Sequence, residues 1–356
     1  MASQRKATVL LPETALTDFC RCVFSQLGLP KDDAAVVADS LIDADLCGIA
    51  SHGLVRLPIY VERLKAGVVA ARPEMHIVRE SAATAVLDGG NGMGQVVSKR
   101  AMEMALEKGR DQPAFISVRA SNHNGALGYW AAQAPVHDCI GIAFTIGGIN
   151  HMAPWGGAEA MLGNNPFAIA LPAGEGAPVI LDMACSVAAR GKVNVAADRG
   201  ETIPEGWCLD SDGLPTTDPL AALQGFVLPL AGHKGYAMTV AFGLLSSMLS
   251  GAAFGTEVTH LYDDLKNPQN VGHLFGVLPV TAFEDLATYR RRMDKAITEI
   301  RGVRRAPGVA DITLPGERER LLRAERRQSG VPLARGTVAG LRQVAEELGI
   351  EFDLDG

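Results

Sequence analysis

Several stretches of this sequence set polar, ionisable side chains among glycines, where a backbone turns tightly and a ligand can approach closely. The first is Gly48-Ile49-Ala50-Ser51-His52-Gly53-Leu54-Val55-Arg56. With Ser51 as the cap of a helix, His52 and Arg56 fall four residues apart on one face. That pairs a proton-transfer group with a guanidinium able to grip a carboxylate through two parallel bonds, which suits an α-keto acid. The same spacing also describes a capping serine, a half-buried histidine and a surface arginine, and spacing alone leaves both readings open. The second stretch, Ser121-Asn122-His123-Asn124-Gly125-Ala126-Leu127-Gly128-Tyr129, follows a predicted strand. Main-chain donors there suit a phosphate or carboxamide, or they form a plain polar turn. In the third region, Leu162-Gly163-Asn164-Asn165-Pro166-Phe167 precedes Leu181-Asp182-Met183-Ala184 and Ala188-Ala189-Arg190-Gly191-Lys192. Each piece alone reads equally as turn chemistry. The fourth, Gly232-His233-Lys234-Gly235-Tyr236, opens an uncharged stretch. A cation at a helix N-terminus opposes the macrodipole, and a bound phosphate would account for it.

The common short signatures are missing. Gly89-Gly90-Asn91-Gly92-Met93-Gly94-Gln95 does not fit the GxGxxG spacing of a Rossmann dinucleotide site, and there is no P-loop, HExxH or GxSxG.

The elements that must position these residues change character along the chain. Asp32 and Asp33 suit a first helical turn, and Val36, Val37, Ser40, Leu41 and Ala44 follow at helical spacing, which predicts a helix over residues 31–46 ended by Gly48. A second helix is predicted from Ser51 through Ile59, Tyr60 and Leu64 to Gly67, with Pro58 disturbing its early turns. A strand over 84–88 and a helix ending at Gly109 come next. Short apolar runs between Gly, Pro and Asn then predict strands over 114–118, 140–146, 167–171 and 179–181. The uncharged stretch 235–256 reads as a central buried helix and not as a membrane span, since its flanks carry no basic asymmetry. A strand over 274–280 and helices over 283–301, 316–328 and after Thr337 complete the chain. The expected organisation is a mainly helical domain for substrate and dimerisation, built from residues 1–112 with 282–356, around a central α/β cofactor domain of residues 113–281.

Composition excludes some partners. With 47% hydrophobic and 21% charged residues over 356, the chain has the apolar surface to fold as an ordinary globular protein. A net charge of -7 argues against a nucleic-acid footprint, and the arginines at 290–292 and 301–305 have acidic neighbours. Cys20, Cys22, Cys47, Cys139, Cys185 and Cys208 are scattered, as expected for thiols in a reducing compartment and not for zinc or disulfides. Pro12 and Glu13 interrupt the N-terminal apolar run, so no signal peptide is read, and a cytoplasmic location is expected.

Taken together and in this order, the segments resemble the malate/L-lactate dehydrogenase family that lacks a Rossmann fold. That family also holds ureidoglycolate dehydrogenase, diketogulonate reductase and the cyclic-imine piperideine and pyrroline carboxylate reductases. The matching stretches are GIASHGLVRLPIY, SNHNGALGYWA, GNNPFAIALP, LDMACSVAARGK, IPEGWCLDSDGLPTTDP, LPLAGHKGYAMTVAFGLLSSMLSGAAFG and LPGERE, across residues 45–320. The resemblance implies the non-Rossmann α/β fold of that family, a homodimer, no metal, and hydride transfer between NAD or NADP and a small 2-keto or 2-hydroxy acid. By position it implies His52 as proton donor, with an ordinary pKa near 6.5, Ser51 beside it in the relay, and Arg56 on the substrate carboxylate. His123, Asn124, Gly125, Ala126, Leu127, Asp182, Met183, Ala184, His233 and Lys234 match cofactor contacts, and Leu314, Pro315, Gly316 and Glu317 a late cofactor-contacting turn. Asn164, Arg190 and Gly191 match substrate contacts. Lys192 stands where the imine reductases carry an acid that completes the relay. It is grouped with Ser51 and His52 as catalytic, and it tilts the reading toward an open-chain keto acid. The family's Gly-Thr-Asn-Pro is here Gly163-Asn164-Asn165-Pro166, which leaves substrate specificity open. A cyclic ketimine reductase and a non-catalytic nucleotide-binding protein on the same fold are the alternatives.

Overall fold

The first elements follow from short-range signals. In the computed structural model, which describes residues 8–352, strand β1 (Thr8–Leu11) leads into helices α1 (Glu13–Gln26) and α2 (Lys31–Leu46). Helix α2 spans the predicted residues, with Asp32 and Asp33 at its positive end and Gly48 in the left-handed region just beyond it, at φ +80°. The helix predicted from Ser51 is corrected. Two 3₁₀ turns, Ala50–His52 and Leu54–Arg56, come first, and α3 begins only at Leu57 (Leu57–Lys65). The cause is Pro58, which fits a first helical turn and not a helix interior. Ser51 therefore caps nothing, and its hydroxyl is free to meet His52.

The remaining chain builds one large sheet and its covers. In order it forms β2 (His76–Glu80), β3 (Thr84–Asp88), α4 (Gly94–Lys108), β4 (Ala114–Ser121), the short α5 (Leu127–Ala131), β5 (Cys139–Thr145), β6 (Phe167–Leu171) and β7 (Val179–Met183). Helix α6 (Arg190–Arg199), strands β8 (Cys208–Leu209) and β9 (Pro215–Thr216), α7 (Pro219–Gln224) and β10 (Phe226–Val227) make a small unit. Helix α8 (His233–Ser247), β11 (Val271–Pro279), α9 (Leu286–Gly302), α10 (Glu317–Ser329), β12 (Val331–Ala334) and α11 (Arg335–Leu348) follow. The seven-stranded sheet runs β2-β3-β4-β11-β5-β6-β7; only β3 and β4 pair in parallel. It is a mixed sheet, and no doubly wound parallel arrangement supplies a Rossmann crevice.

Two cores hold these layers. One gathers Leu16, Phe24, Leu41, Leu54, Leu57 and Tyr60 from the first helices with Val331, Leu333, Leu341 and Val344 from the far end of the chain. The antiparallel pair of β1 with β12 closes the same seam. The other packs Val97, Ala101 and Met102 of α4 and Trp130 of α5 against Ile116, Val118, Phe275 and Val277 of the sheet. Each fully buried Leu, Val or Phe contributes about 1.5–3 kcal/mol to holding these layers.

Helix α8 departs from expectation. It is not buried all round: its small residues Gly235, Thr239, Gly243, Ser246 and Ser247 face inward, and Leu244 and Leu245 are exposed, as are Met248 and Leu249 just past its end. Small inward residues let the helix lie close to its neighbours, so the large apolar ones are left outside. Among the described residues no helix is long and apolar enough to cross a membrane.

Candidate active site

The loop between α2 and α3 builds the centre of the site. Gly48 N–H donates to the Asp45 carbonyl (3.1 Å), Ile49 N–H to Ala44 (2.8 Å) and His52 N–H to Ile49 (2.9 Å), which folds the chain back over the end of α2. Ser51 Oγ then lies 2.9 Å from His52 Nδ1. Arg56 Nε donates to the Ser51 carbonyl at 2.6 Å, and the guanidinium lies 5.5 Å from the centre of the Tyr262 ring. Its Nη1 is buried and has no hydrogen-bond partner. A buried guanidinium N–H without an acceptor is costly, and an anionic ligand would satisfy it.

His123, reached through the end of β4, joins this cluster and not only the cofactor side. Its ring stacks on that of His52, with centroids 5.5 Å apart and 23° between the planes. Tyr60 Oη is 2.6 Å from His123 Nδ1, and the Gly125 N–H reaches the same nitrogen at 3.4 Å. A nitrogen accepting from a backbone N–H carries no proton, so Tyr60 donates and the ring proton of the neutral imidazole sits on Nε2. The expected ordinary pKa of His52 is corrected: burial, then the Arg56 charge, push it down to about 3. Burial, Arg56, His52 and His273 hold His123 well below its usual value too. Both rings are neutral at physiological pH.

The cofactor-matched residues converge from three parts of the chain. Asn124 donates to Ser98 Oγ (2.9 Å) and accepts from the Trp130 indole through its carbonyl (2.9 Å), which locks the turn through Gly125 and Ala126 into Leu127 at the start of α5. The Gly128 N–H donates to Asp182 Oδ2 on β7 at 2.7 Å, and burial raises that carboxyl to about 6. Two residues back along β7, the Ile180 N–H donates to the Pro315 carbonyl (3.1 Å). Gly316 takes φ +83°, where a Cβ would meet Ile180 at 2.9 Å. The turn Leu314–Glu317, closed by the Leu314 N–H on Glu317 (3.1 Å), therefore lies against the strand that carries Asp182, Met183 and, beyond it, Ala184.

The other predicted residues sit around the small unit. Asn164 accepts the Cys185 N–H through its carbonyl (2.8 Å), and its side-chain oxygen lies 2.7 Å from where a Cβ on Gly147 would stand. Neighbouring Asn165 ties Gly147 to the Thr239 carbonyl of α8. Arg190 donates to the Leu223 carbonyl (2.7 Å), next to Gly191, which faces open space. Lys192 is exposed, 5.8 Å from the centre of the Trp207 ring, and His233 meets Trp155 edge to face at 6.3 Å. Lys234 is exposed at the start of α8. Among the described residues no hydrogen bond or ion pair joins Lys192, His233 or Lys234 to His52, and no group of three or more His, Cys, Asp or Glu could hold a metal ion.

Sequence reasoning did not single out Tyr60, Asp45 or Gln95 as site residues. In the sequence Tyr60 reads as one more apolar helix position. Asp45 lies inside α2 and is 2% exposed, and Gln95 is fully buried beside Tyr60. The available signal was a carboxylate and an amide placed inside apolar helical faces, where polar groups need a partner.

Comparison with known proteins settles the kinship. The sequence matches the family described as Malate/L-lactate dehydrogenase over residues 11–342. The chain belongs to the malate/L-lactate dehydrogenase family. Within that family it is 38% identical to a malate dehydrogenase of Pyrococcus abyssi over 352 residues, 96% of each chain. It superposes on the sulfolactate dehydrogenase of Methanocaldococcus jannaschii with a TM-score of 0.90 at 38% identity, covering 96% of this chain and 98% of that one. The fold extends to the delta1-piperideine-2-carboxylate reductase of Pseudomonas syringae, with a TM-score of 0.83 at 28% identity over 95% of this chain and all of that one. The non-Rossmann α/β fold expected from the resemblance is the fold observed.

Proposed function

We propose that this protein is an NAD(P)-dependent dehydrogenase that interconverts a small open-chain 2-keto acid and its 2-hydroxy acid, as a homodimer and without a metal. The observation that carries the reading is the single loop holding Ser51, His52 and Arg56. It sets a Ser51-bonded neutral imidazole a few residues from a guanidinium whose Nη1 is buried without an acceptor. The named activities of the relatives, malate and sulfolactate dehydrogenases, support a 2-hydroxy acid as substrate.

The chain's own groups fit a nicotinamide dinucleotide. Gln95 offers a buried amide beside Tyr60 and Gly125. Lys234 offers a cation at a helix N-terminus, and Asp182 joins the turn that runs through Gly125 to the strand packed on the turn Leu314–Glu317. Residues His123, Asn124, Gly125, Ala126 and Leu127, Met183 and Ala184, and His233 with Lys234 would hold it. When bound, the nicotinamide supplies or accepts the hydride at C2 of the acid.

Arg56 binds the carboxylate and orients C2. In the oxidation direction His52, neutral and held at Nδ1 by Ser51, takes the hydroxyl proton; in reduction the protonated ring returns it to the developing alkoxide. The substrate carboxylate offsets the Arg56 charge, which raises the tendency of His52 to hold that proton once the acid is bound. Ser51 continues this relay from His52 Nδ1, while Lys192, Asn164, Arg190 and Gly191 are assigned to the relay and to the rest of the substrate by their positions in the family's motifs alone.

The test is loss of NADH and of NADPH absorbance against oxaloacetate, pyruvate, sulfopyruvate, longer 2-keto acids and piperideine-2-carboxylate. Turnover with an open-chain acid supports the reading. Turnover with the cyclic imine alone moves the protein to the ketimine reductases, and no turnover with any substrate leaves a nucleotide-binding protein.

A further inference from the structure

The turns that present His52 and Arg56 are weakly tied by themselves. Between α2 and α3 the Ile49 N–H closes back on the Ala44 carbonyl (2.8 Å), but the two turns that carry His52 and Arg56 are held by 3₁₀ bonds: His52 N–H to Ile49 (2.9 Å), Gly53 N–H to Ala50 (3.3 Å) and Arg56 N–H to Gly53 (2.9 Å). Such bonds have poorer geometry than α-helical ones, and two successive turns need a junction to fix their relative angle. That junction is Gly53-Leu54, and the Leu54 N–H there donates 2.7 Å to Asp45 Oδ2, a carboxylate from the last turn of α2.

Gly53 shows how tightly this contact is built. At its φ of -87° and ψ of -147°, a Cβ would lie 2.2 Å from Asp45 Cγ and 2.3 Å from each carboxylate oxygen. The glycine after His52 is there for space, and the occupant of that space is Asp45. Helix α10 pins the arrangement from behind: Arg326 donates to the Asp45 carbonyl, and Leu322 closes on Gly48. Burial raises the Asp45 carboxyl to about 7, and the Leu54 N–H and Arg326 oppose that shift. In either protonation state Oδ2 remains an acceptor.

We infer that Asp45 is the positioning residue of the catalytic turn: its carboxylate, holding the Leu54 N–H against a side-chain-free Gly53, sets where the imidazole of His52 and the guanidinium of Arg56 stand. This rests on the reading above in taking those two groups as the working ones. Asp45 bonds the Leu54 N–H and neither the imidazole nor the guanidinium, so it acts through the turn.

The experiment compares Asp45→Ala, Asp45→Asn, Gly53→Ala and the Asp45→Ala/Gly53→Ala double variant. Asp45→Asn keeps an acceptor oxygen of the same shape, and Gly53→Ala leaves Asp45 in place but drives it out of contact. With substrate and cofactor, kcat of Asp45→Ala and Gly53→Ala should fall on the order of 10²-fold, the effect of about 1 Å of misplacement. NAD(P)H binding, read by its fluorescence, should stay unchanged. Asp45→Asn should recover most of the rate, and the double variant should be no slower than Gly53→Ala, because the methyl then occupies the vacated space. Full activity in Asp45→Ala, or equal loss in Asp45→Asn and Asp45→Ala, overturns the inference. A readout independent of turnover is the rate of diethyl pyrocarbonate modification of His52, followed by mass spectrometry. It should rise in Asp45→Ala and return in Asp45→Asn, and an unchanged rate overturns the inference. If no 2-hydroxy acid is turned over, the functional reading fails while this modification series still judges Asp45.

Discussion

The imidazoles of His52 and His123 lie face to face, 5.5 Å between centroids, and each is tied back at Nδ1, one to Ser51 Oγ and the other to Tyr60 Oη and the Gly125 N–H. No described protein group bonds Nε2 of either ring, so each has that nitrogen left for a ligand. Two neutral imidazoles with one free nitrogen each can share the work on a reacting oxygen, one moving the proton and the other hydrogen-bonding.

His52→Ala should cost on the order of 10²–10⁴-fold in kcat, the usual contribution of a general acid or base. His123→Ala should cost a comparable amount, and the double variant should be little worse than either single one, because groups that act as a unit do not add. NAD(P)H affinity of His52→Ala should be unchanged. Turnover of His52→Ala equal to that of the unaltered protein would remove His52 from the mechanism.

The low pKa of His52 makes a pH prediction with a definite sign. Its neutral form is the base for oxidation, and burial with Arg56 keeps it neutral down to about pH 3 in the free protein. The kcat/KM of hydroxy acid oxidation should therefore show no histidine limb near pH 6.5. In the complex the substrate carboxylate offsets Arg56, so the acid limb of kcat should lie at higher pH than that of kcat/KM. A limb at pH 6.5 in kcat/KM would mean that water solvates His52 freely.

Stability should fall in mild acid. His52 and His273 have pKa values near 3 and His151 near 4, and His123 lies well below its usual value, each chiefly through burial. Below about pH 6.5 the unfolded chain protonates these four rings and the fold does not, so stability is lost as pH falls. Asp45 and Asp182 act in the opposite sense, since burial raises them to about 7 and about 6 and the fold keeps protons that the unfolded chain releases. Burial raises Asp33 and Asp43 as well, by smaller shifts, and the lowered Asp88 acts with the four imidazoles, so the rings outweigh the carboxyls and Tm should rise between about pH 4.5 and 6. A Tm that falls with pH over that window would show that the rings are hydrated and charged in the fold.

Arg56→Lys keeps the charge but loses the planar fork. It should raise KM for the acid and lower kcat/KM on the order of 10²-fold, as expected when a buried charged anchor is impaired. The Kd for NAD(P)H should not move. A loss confined to the cofactor would reassign Arg56.

Much of this was legible in sequence for physical reasons. Helix α2 and strand β6 match their predicted spans because amphipathic spacing and a bounded apolar run are local signals. The site segments were found because glycines mark where a backbone must turn beside a ligand. Tertiary facts were not legible. The His52-His123 stack joins residues 71 apart in sequence through the sheet, and Asp45 reads as one more helix acid until Gly53 is seen against it. The helix predicted at Ser51 failed because the serine's side chain had a nearer partner in His52 and Pro58 fixed the true start. The inverted face of α8 could not be read because an uncharged helix with small residues has no polarity pattern to say which side faces in.

That inverted face carries the last prediction. Leu244 and Leu245 are 38% and 40% exposed, and Met248 and Leu249 just past the helix end are 57% and 58% exposed, while glycine, threonine and serine take the inner positions. A contiguous apolar patch in water is unfavourable at roughly 25 cal/mol per Å², and soluble monomers seldom keep a large one. A second copy of the chain is the cover expected from the homodimer reading, and a two-fold arrangement would set each patch on its own counterpart. The protein should sediment at twice its chain mass, and Met248→Glu with Leu249→Glu should shift it to the monomer while its far-UV spectrum stays unchanged, because both side chains already face outward. A double variant that stays dimeric would place the interface on another face, and a wild-type protein that sediments as a monomer would leave the patch to a different partner.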